Sequence, residues 1–280
     1  MRNIVLLAPT GQVGFEVARA VSPLGRLHTL SRNEVDFADT LAVVAKVSEL
    51  QPDIIINAAA WTAVDKAESE QYKAELINVI GAKNLAETCN ELDAKLIHIS
   101  TDFVFDGLAG PYTESDQPNP LSVYARTKVE GENIVQQLEG LRYSIVRTII
   151  VYGKGEQLSR SNLILWAKEA LEKGEPLQIV DDQFRAPTWA DDLAWACVRI
   201  CELNQQGIFH IAGPETLSIY QIVERVAAFY GLPMQQVSKL SSSTLQQPAK
   251  RPPHTGFILD KARTVLGYNP HTLEATFALL

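Results

Sequence analysis

Tyr124 and Lys128 stand four residues apart in Val123-Tyr124-Ala125-Arg126-Thr127-Lys128, at the start of a stretch with helical spacing. On a helix, residues at i and i+4 share a face, with their Cβ atoms about 5–6 Å apart. A lysine ammonium held beside a phenol favours the phenolate and lowers the tyrosine pKa from its usual value of about 10. A tyrosine tuned this way can give a proton to, or take one from, an alcohol or carbonyl oxygen. The same spacing also arises by chance as a surface helix pair. Upstream, Ile99-Ser100-Thr101-Asp102 closes an apolar run that reads as a strand. Ligands of parallel α/β sheets gather beyond the carboxyl ends of the strands. The Thr101 hydroxyl therefore falls where it can hydrogen-bond a reacting carbonyl oxygen opposite the tyrosine.

A second group of residues suits a dinucleotide. Ala8-Pro9-Thr10-Gly11-Gln12-Val13-Gly14 follows the first apolar run and fits G-x-x-G-x-x-G with its first glycine replaced. A pyrophosphate needs a tight turn, a small residue where backbone meets phosphate, and a helix N-terminus aimed at it. Gly11 and Gly14 supply the second and third. Ala8 fits the first provided its φ stays below zero. The competing reading is an ordinary strand–helix turn. At the end of the second strand an acidic side chain favours NAD, and a basic one accommodates the extra phosphate of NADP. Here the segment reads Leu30-Ser31-Arg32-Asn33, without a carboxylate. Ser31 and Arg32 suit a 2′-phosphate, which predicts NADPH with NADH as the alternative; Arg32 as a solvated surface charge is the rival reading. Asp36 and Phe37 are expected at the adenine pocket.

The elements that must position these residues alternate. Strands are predicted at Asn3–Ala8, Arg26–Leu30, Asp53–Ala58, Lys95–Ser100 and Tyr143–Thr148. Helical patterns fall at Gln12–Ser22, Thr40–Leu50, Glu70–Leu92 and Val123–Leu138. Strands without polar alternation, separated by helices, imply a parallel sheet covered on both faces, a doubly wound Rossmann-like α/β fold. Beyond about residue 150 the rhythm loosens. Helices at Ser159–Lys173, Trp189–Asn204 and Ser218–Tyr230 are interrupted by short strands at Leu177–Val180 and Gly207–Ala212. Ser238–Gly256, rich in Ser, Pro and Gln, reads as a long loop. The expected organisation is a cofactor-binding domain over 1–150, rejoined at about 188–212, with a smaller interleaved substrate domain over 151–187 and 213–280.

Composition narrows the classes. With 280 residues, 46% hydrophobic and 21% charged, the chain can bury a core without disulfides. Cys89, Cys197 and Cys201 are few and odd in number, which predicts buried structural thiols in a reducing compartment. A net charge of −8 and the lack of a Lys/Arg block argue against a nucleic-acid partner. No run approaches the roughly 20 apolar residues of a membrane span. The start at Met1, running directly into a strand without a signal pattern, predicts a cytoplasmic location.

Three stretches carry a resemblance: PDIIINAAAWTAVDKAESE (Pro52–Glu70), HISTDFVFDG (His98–Gly107) and PLSVYARTKVEGE (Pro120–Glu132). With them the chain resembles the extended short-chain dehydrogenase/reductases, and among them the dTDP-4-dehydrorhamnose reductases. The likeness runs through most of the chain. Asp182-Gln183, Ala186-Pro187-Thr188 and Arg251-Pro252 resemble that family's substrate-side segments. The resemblance implies Tyr124 as general acid, Lys128 as its partner and as a holder of the nicotinamide ribose, and Thr101 as the assisting hydroxyl. It implies Gly11, Gln12 and Val13 at the pyrophosphate and Ala58, Ala59 and Ala60 beneath the riboses. It places Asp102, Thr62 and Val64 beside the sugar. The family usually reads R-T-S-W-V-Y-G where this chain has Arg147-Thr148-Ile149-Ile150-Val151-Tyr152-Gly153. Ile150 thus replaces a tryptophan against the substrate, removing a flat surface of up to about 250 Å².

The implied reaction is reduction of the C4 keto group of a dTDP-linked 4-keto-6-deoxy sugar, dTDP-4-dehydro-L-rhamnose, by NADPH. A homodimer is implied too. An interface magnesium, which some members carry, fits poorly with the short C-terminus. Another NDP-4-ketosugar reductase is the near alternative, and two rivals stand further off. A sugar-nucleotide epimerase or dehydratase would use the same scaffold with a retained NAD. The single Asp102 followed by Phe103 and the lack of a carboxylate at Ser31 and Arg32 count against that. A regulatory subunit like the methionine adenosyltransferase β subunit would keep the motifs and act by binding.

Overall fold

The computed structural model describes residues 1–155 and 162–280. Its first half runs β1 (Arg2–Leu7), α1 (Gln12–Val21), β2 (Gly25–Leu30), α2 (Thr40–Glu49), β3 (Ile54–Asn57), α3 (Val64–Ser69), α4 (Gln71–Glu75), a π turn (Leu76–Ile80), α5 (Gly81–Glu91), β4 (Lys95–Thr101), α6 (Val123–Gln137) and β5 (Arg142–Thr148). The second half adds β6 (Val151–Tyr152), α7 (Leu163–Glu172), β7 (Leu177–Val180), β8 (Phe184–Arg185), β9 (Thr188–Trp189), α8 (Ala190–Glu202), β10 (Gly207–Ile211), β11 (Leu217–Ser218), α9 (Ile219–Tyr230), β12 (Val237–Leu240) and α10 (Leu273–Phe277).

Six strands form one sheet in the order β10-β5-β4-β3-β1-β2, and every pairing is parallel. Successive strand residues point to opposite faces, so a fully parallel sheet must be apolar on both. Along β1 and β3, Ile4, Leu6, Ile54 and Ile56 enter one buried cluster with Leu193 and Ile200 of α8. Val5, Leu7 and Ile55 enter the other, with Val43 and Val47 of α2 and Leu85 of α5. The expected α/β class is the observed one. β10 enters the sheet beside β5 after the chain has already left it to build β6–β9. A third apolar cluster, including Tyr152, Leu171, Trp189, Ile222, Val226 and Phe277, lies among α7, α9, α10 and the short strands.

The expected elements mostly match to within two residues, and α10 and the two-residue strands β6, β8, β9 and β11 were not among them. The helical stretch 70–92 is two helices joined through a π turn, in which the Asn78 side chain bonds the Trp61 backbone. Helix α3 went unread in the sequence. The expected loop at 238–256 begins inside β12, which pairs with β7 in parallel. Helix α7 starts at Leu163; the expected start at Ser159 lies outside the described residues. Cys89, Cys197 and Cys201 are free and buried, and burial pushes the Cys201 thiol up to about 11. No described helix is long and apolar enough to cross a membrane.

Candidate active site

Strand β4 delivers Thr101 to the carboxyl edge of the sheet, and α6 brings Tyr124 and Lys128 across from it. Ser122 caps that helix by accepting from the Ala125 N–H at 3.3 Å, and the Glu68 carboxylate accepts from the Val123 N–H at 2.9 Å. Two donors of the first turn are satisfied, as a helix start requires. Gly131 lets α6 approach the π turn: a Cβ there would lie 2.5 Å from the Asn78 carbonyl oxygen. The Asn78 amide reaches Thr127 Oγ1 at 3.0 Å and also grips Trp61. The tyrosine helix and the segment after β3 are thereby fixed to one another.

Two cavities meet at this edge. The inner one, about 470 Å³, is lined by Thr101, Tyr124 and Lys128 together with Thr62, Val64, Asp102 and Ile150. The outer one, about 430 Å³, is lined by Ala8, Thr10, Gly11, Gly14, Ser31 and Arg32. Gln12, Val13, Ala58, Ala60, Thr62 and Val151 border both, so the two form one cleft. Three expected residues lie elsewhere. Phe37 and Ala59 line a small separate cavity between α2 and α5. Asp36 is exposed and accepts from the Ala38 N–H at 2.9 Å.

The glycine turn fits a dinucleotide. Helix α1 has no side-chain cap at Gly11, and a Cβ on Gly11 would meet open space, so its first backbone amides face the cleft. The Oε1 atom of Gln12 and the Oγ atom of Ser100 are buried without a hydrogen-bond partner among the described residues. Buried polar atoms in that state await a ligand or water. Gly14 is obligatory, since a Cβ there would fall 2.0 Å from the Ala8 carbonyl oxygen. Ala8 corrects the expectation made for it: its φ is +59°, in the left-handed region, and its N–H donates to Leu30 O at 2.9 Å. The tight turn is kept at the expense of strain, of order 1–2 kcal/mol for a residue with a Cβ.

A second correction concerns the end of β2. Although Ser31-Arg32-Asn33 holds no carboxylate, Glu34 folds back onto it. Its Oε2 accepts from Ser31 N–H at 2.8 Å and Ser31 Oγ–H at 2.7 Å. These bonds hold the Glu34 carboxyl below its ordinary range. A carboxylate therefore occupies the strand end after all, three residues further along the chain than the sequence motif places it.

Lys128 is buried, and its Nζ donates to the Ile99 carbonyl at 2.8 Å. Burial lowers its pKa to about 8, opposed by the Glu132 carboxylate. Thr101 Oγ1 accepts from the Phe103 N–H at 3.2 Å and donates to Asp102 Oδ1 at 3.1 Å. Asp102, expected beside the sugar, lines the cleft, but its carboxylate turns inward. It receives the Thr255 hydroxyl and lies 3.7 Å from Arg185 Nε. Burial raises its pKa, offset by Arg185 and Thr255. Arg185 is itself 2% exposed and donates to the carbonyl oxygens of Phe184 and Pro252. Arg251 makes a two-bond pair with Asp65 of α3, at 3.0 and 2.7 Å. The segment around residues 251–255 is thus fastened both to α3 and to the end of β4.

Ile150 adopts φ +31°, an outlier for a β-branched side chain. Thr188 holds it there: its N–H donates to Ile149 O and Ile150 O at 3.1 and 3.2 Å, and its Oγ1–H donates to Ile149 O at 2.7 Å. Strained backbone of this kind clusters at binding sites. Sequence reasoning missed Ser100, Phe103, Asn162 and Leu163 as cleft residues. Ser100 and Phe103 flank Thr101 and were findable by adjacency, whereas Asn162 and Leu163 arrive through the tertiary fold.

The family model described as RmlD substrate binding domain matches residues 1–279. The dTDP-4-dehydrorhamnose reductase of Escherichia coli K12 is 38% identical over 276 residues, 92% of this chain and 90% of the relative. The chain belongs to the dTDP-4-dehydrorhamnose reductase family. Among solved structures, the reductase ortholog of Clostridium acetobutylicum superposes with a TM-score of 0.90 at 31% identity, covering 98% of this chain and 96% of that one. The Bacillus anthracis reductase, solved in complex with NADP, gives 0.88 at 27% identity, with 97% and 95% covered. As a member of this reductase family the chain is a nicotinamide-dependent oxidoreductase acting on a CH–OH group. Among the described residues no group of three or more His, Cys, Asp or Glu side chains is placed to hold a metal ion.

Proposed function

We propose that this chain reduces the C4 keto group of dTDP-4-dehydro-L-rhamnose to give dTDP-L-rhamnose, using NADPH with NADH as a competent substitute. The observation that carries the reading is the meeting of Thr101, Tyr124 and Lys128 in one cavity that continues into the glycine turn. Gly11, Gln12 and Val13 would cradle the pyrophosphate at the α1 N-terminus. Ala58 and Ala60 would pass beneath the riboses, and Lys128 would hold the nicotinamide ribose. Ser31 and Arg32 support NADPH, while the Glu34 carboxylate on Ser31 keeps the preference small. When bound, the reduced nicotinamide supplies the hydride.

The protein's own residues handle the oxygen. Tyr124 gives its phenolic proton to the C4 oxygen as that atom gains charge. Thr101 carries a single hydroxyl hydrogen, now on Asp102, which must turn to the substrate oxygen to assist. Asp102, held by Thr255 and Arg185, accepts that hydrogen in the resting state and positions the threonine. Thr62, Val64 and Ile150, which line the same cavity, would border the sugar. Segments 151–187 and 213–280 would form the substrate-binding part, and the working unit would be a homodimer.

The test is turnover. Purified protein is offered dTDP-, UDP- and GDP-linked 4-keto-6-deoxy sugars with NADPH or NADH, and cofactor oxidation and product are followed. Fastest oxidation with the dTDP-linked L-lyxo ketosugar, with dTDP-L-rhamnose as product, is expected. Absence of cofactor oxidation with every ketosugar would sink the reading in favour of a binding subunit.

A further inference from the structure

Behind Lys128 lies a buried polar chain that the reaction just described does not use. Lys128 Nζ is 3.4 Å from His98 Nε2, and His98 Nδ1 is 3.2 Å from Asn57 Nδ2. His98 and Asn57 are 1% and 3% exposed, side by side on neighbouring strands β4 and β3. The Ala59 backbone N–H, which can only donate, points at Asn57 Oδ1 from 3.1 Å. That contact fixes which end of the amide is oxygen, and leaves Nδ2 to face the imidazole as a donor. His98 Nδ1 must then accept. A neutral imidazole carries one N–H, so the hydrogen sits on Nε2, aimed at Lys128. His98 is neutral because burial and the nearby lysine hold its pKa well below the ordinary histidine range.

A charged Lys128 has only donors to offer and meets another donor head-on. A neutral Lys128 has a lone pair that can accept the Nε2–H. We propose that His98, oriented by Asn57, is a positioning residue that favours the neutral form of Lys128 and so sets the pH range over which the Tyr124–Lys128 pair works.

The inference rests on the reading of Tyr124 as the proton donor. Tyr124 is tuned by Lys128 as an ammonium, so the pH at which this lysine becomes an amine sets the upper limit of activity, and the amine then accepts from His98. Glu132, one turn along α6, opposes the effect but is held by Arg147 of β5 at 2.6 Å. Tyr124 shares its helix, β4 adds the Ile99 carbonyl as an acceptor, and Asp102 beyond β4 is committed to Thr255 and Arg185.

Two substitutions test this with the same sign. His98→Gln keeps an amide near the Nε2 position but can rotate its oxygen toward an ammonium. Asn57→Asp gives Ala59 an oxygen and His98 Nδ1 a second one, which moves the imidazole hydrogen to Nδ1 and turns Nε2 into an acceptor. Both should move the basic limb of the kcat–pH profile upward by about one unit. The pH dependence of the Kd for reduced cofactor, read by its fluorescence, should shift equally. Nitrogen-15 spectra should show His98 protonated on Nε2 in the parent protein and on Nδ1 in Asn57→Asp. A parent spectrum with the proton on Nδ1 overturns the proposal, as do folded variants that lose activity without a shift in either profile. Lys128→Met separates the two layers. If it turns over like the parent, the underlying reading fails; if it is inactive while the variants leave the limb unmoved, only the role of His98 fails.

Discussion

At the residue scale the informative positions are those where a side chain stands against its local preference. Glu34 takes both polar hydrogens of Ser31, the atoms a 2′-phosphate would need, and places a negative charge beside it. Replacing it with glutamine removes the repulsion and keeps the loop. Glu34→Gln should raise the ratio of NADPH to NADH affinity by roughly tenfold, about 1.4 kcal/mol. Paired titrations of the two cofactors would read this, and an unchanged ratio would mean the 2′-phosphate binds clear of Ser31. Ala8 gives a second case. With φ at +59° it carries strain that glycine lacks. Ala8→Gly removes about 1–2 kcal/mol of strain but adds about 0.4–1 kcal/mol of unfolded-chain entropy. A net gain of roughly 0.5–1 kcal/mol in denaturant unfolding is expected, and a loss would show that the turn is unstrained.

At the element scale, the parallel sheet with its glycine turn was legible and the short elements beyond residue 150 were less so. β1 and β3 are short apolar runs bounded by helices with clear spacing, and parallel pairing explains why polar alternation is missing from them. Tyr124, Lys128 and Thr101 were readable because strand end and helix start carry them into place locally. β12 was hidden because Val237–Leu240 reads Val-Ser-Lys-Leu and owes its strand form to β7, far away in sequence. The inward turn of Asp102 was equally invisible, since Thr255 lies 153 residues further on. That contact gives a prediction. Thr255→Val removes a donor from a buried carboxylate and should lower stability by about 1–3 kcal/mol. It should also reduce kcat, because the freed Asp102 oxygen competes for the Thr101 hydrogen. Stability lost with kcat unchanged would confine Asp102 to a structural role.

At the scale of the whole molecule, buried lysines make stability depend on pH. Lys128 and Lys95 both titrate at about 8 in the folded chain, lowered by burial from 10.5. Below the folded value both are charged in folded and unfolded states, and the cost of burying the charge is fully present. Between about 8 and 10.5 the unfolded chain binds more protons than the folded one, so these two groups make stability rise with pH. Lys128→Met should flatten that rise, leaving the Lys95 contribution, as followed by urea unfolding at a series of pH values. An identical slope in the variant would place the Lys128 pKa at its ordinary value. The same cleft edge gathers the strained Ile150, the buried Asp102–Arg185 pair and the polar chain behind Lys128, so departures from local preference concentrate where the chemistry is proposed.

The central claim is that Tyr124 delivers the proton to the reduced carbonyl. The most direct measurement is kcat of Tyr124→Phe with the dTDP-linked 4-keto sugar, alongside the Kd of that variant for reduced cofactor. Loss of kcat by about 10²–10⁴ with cofactor affinity within about twofold of the parent is the predicted result. A Tyr124→Phe protein that turns over at the parental rate would contradict it.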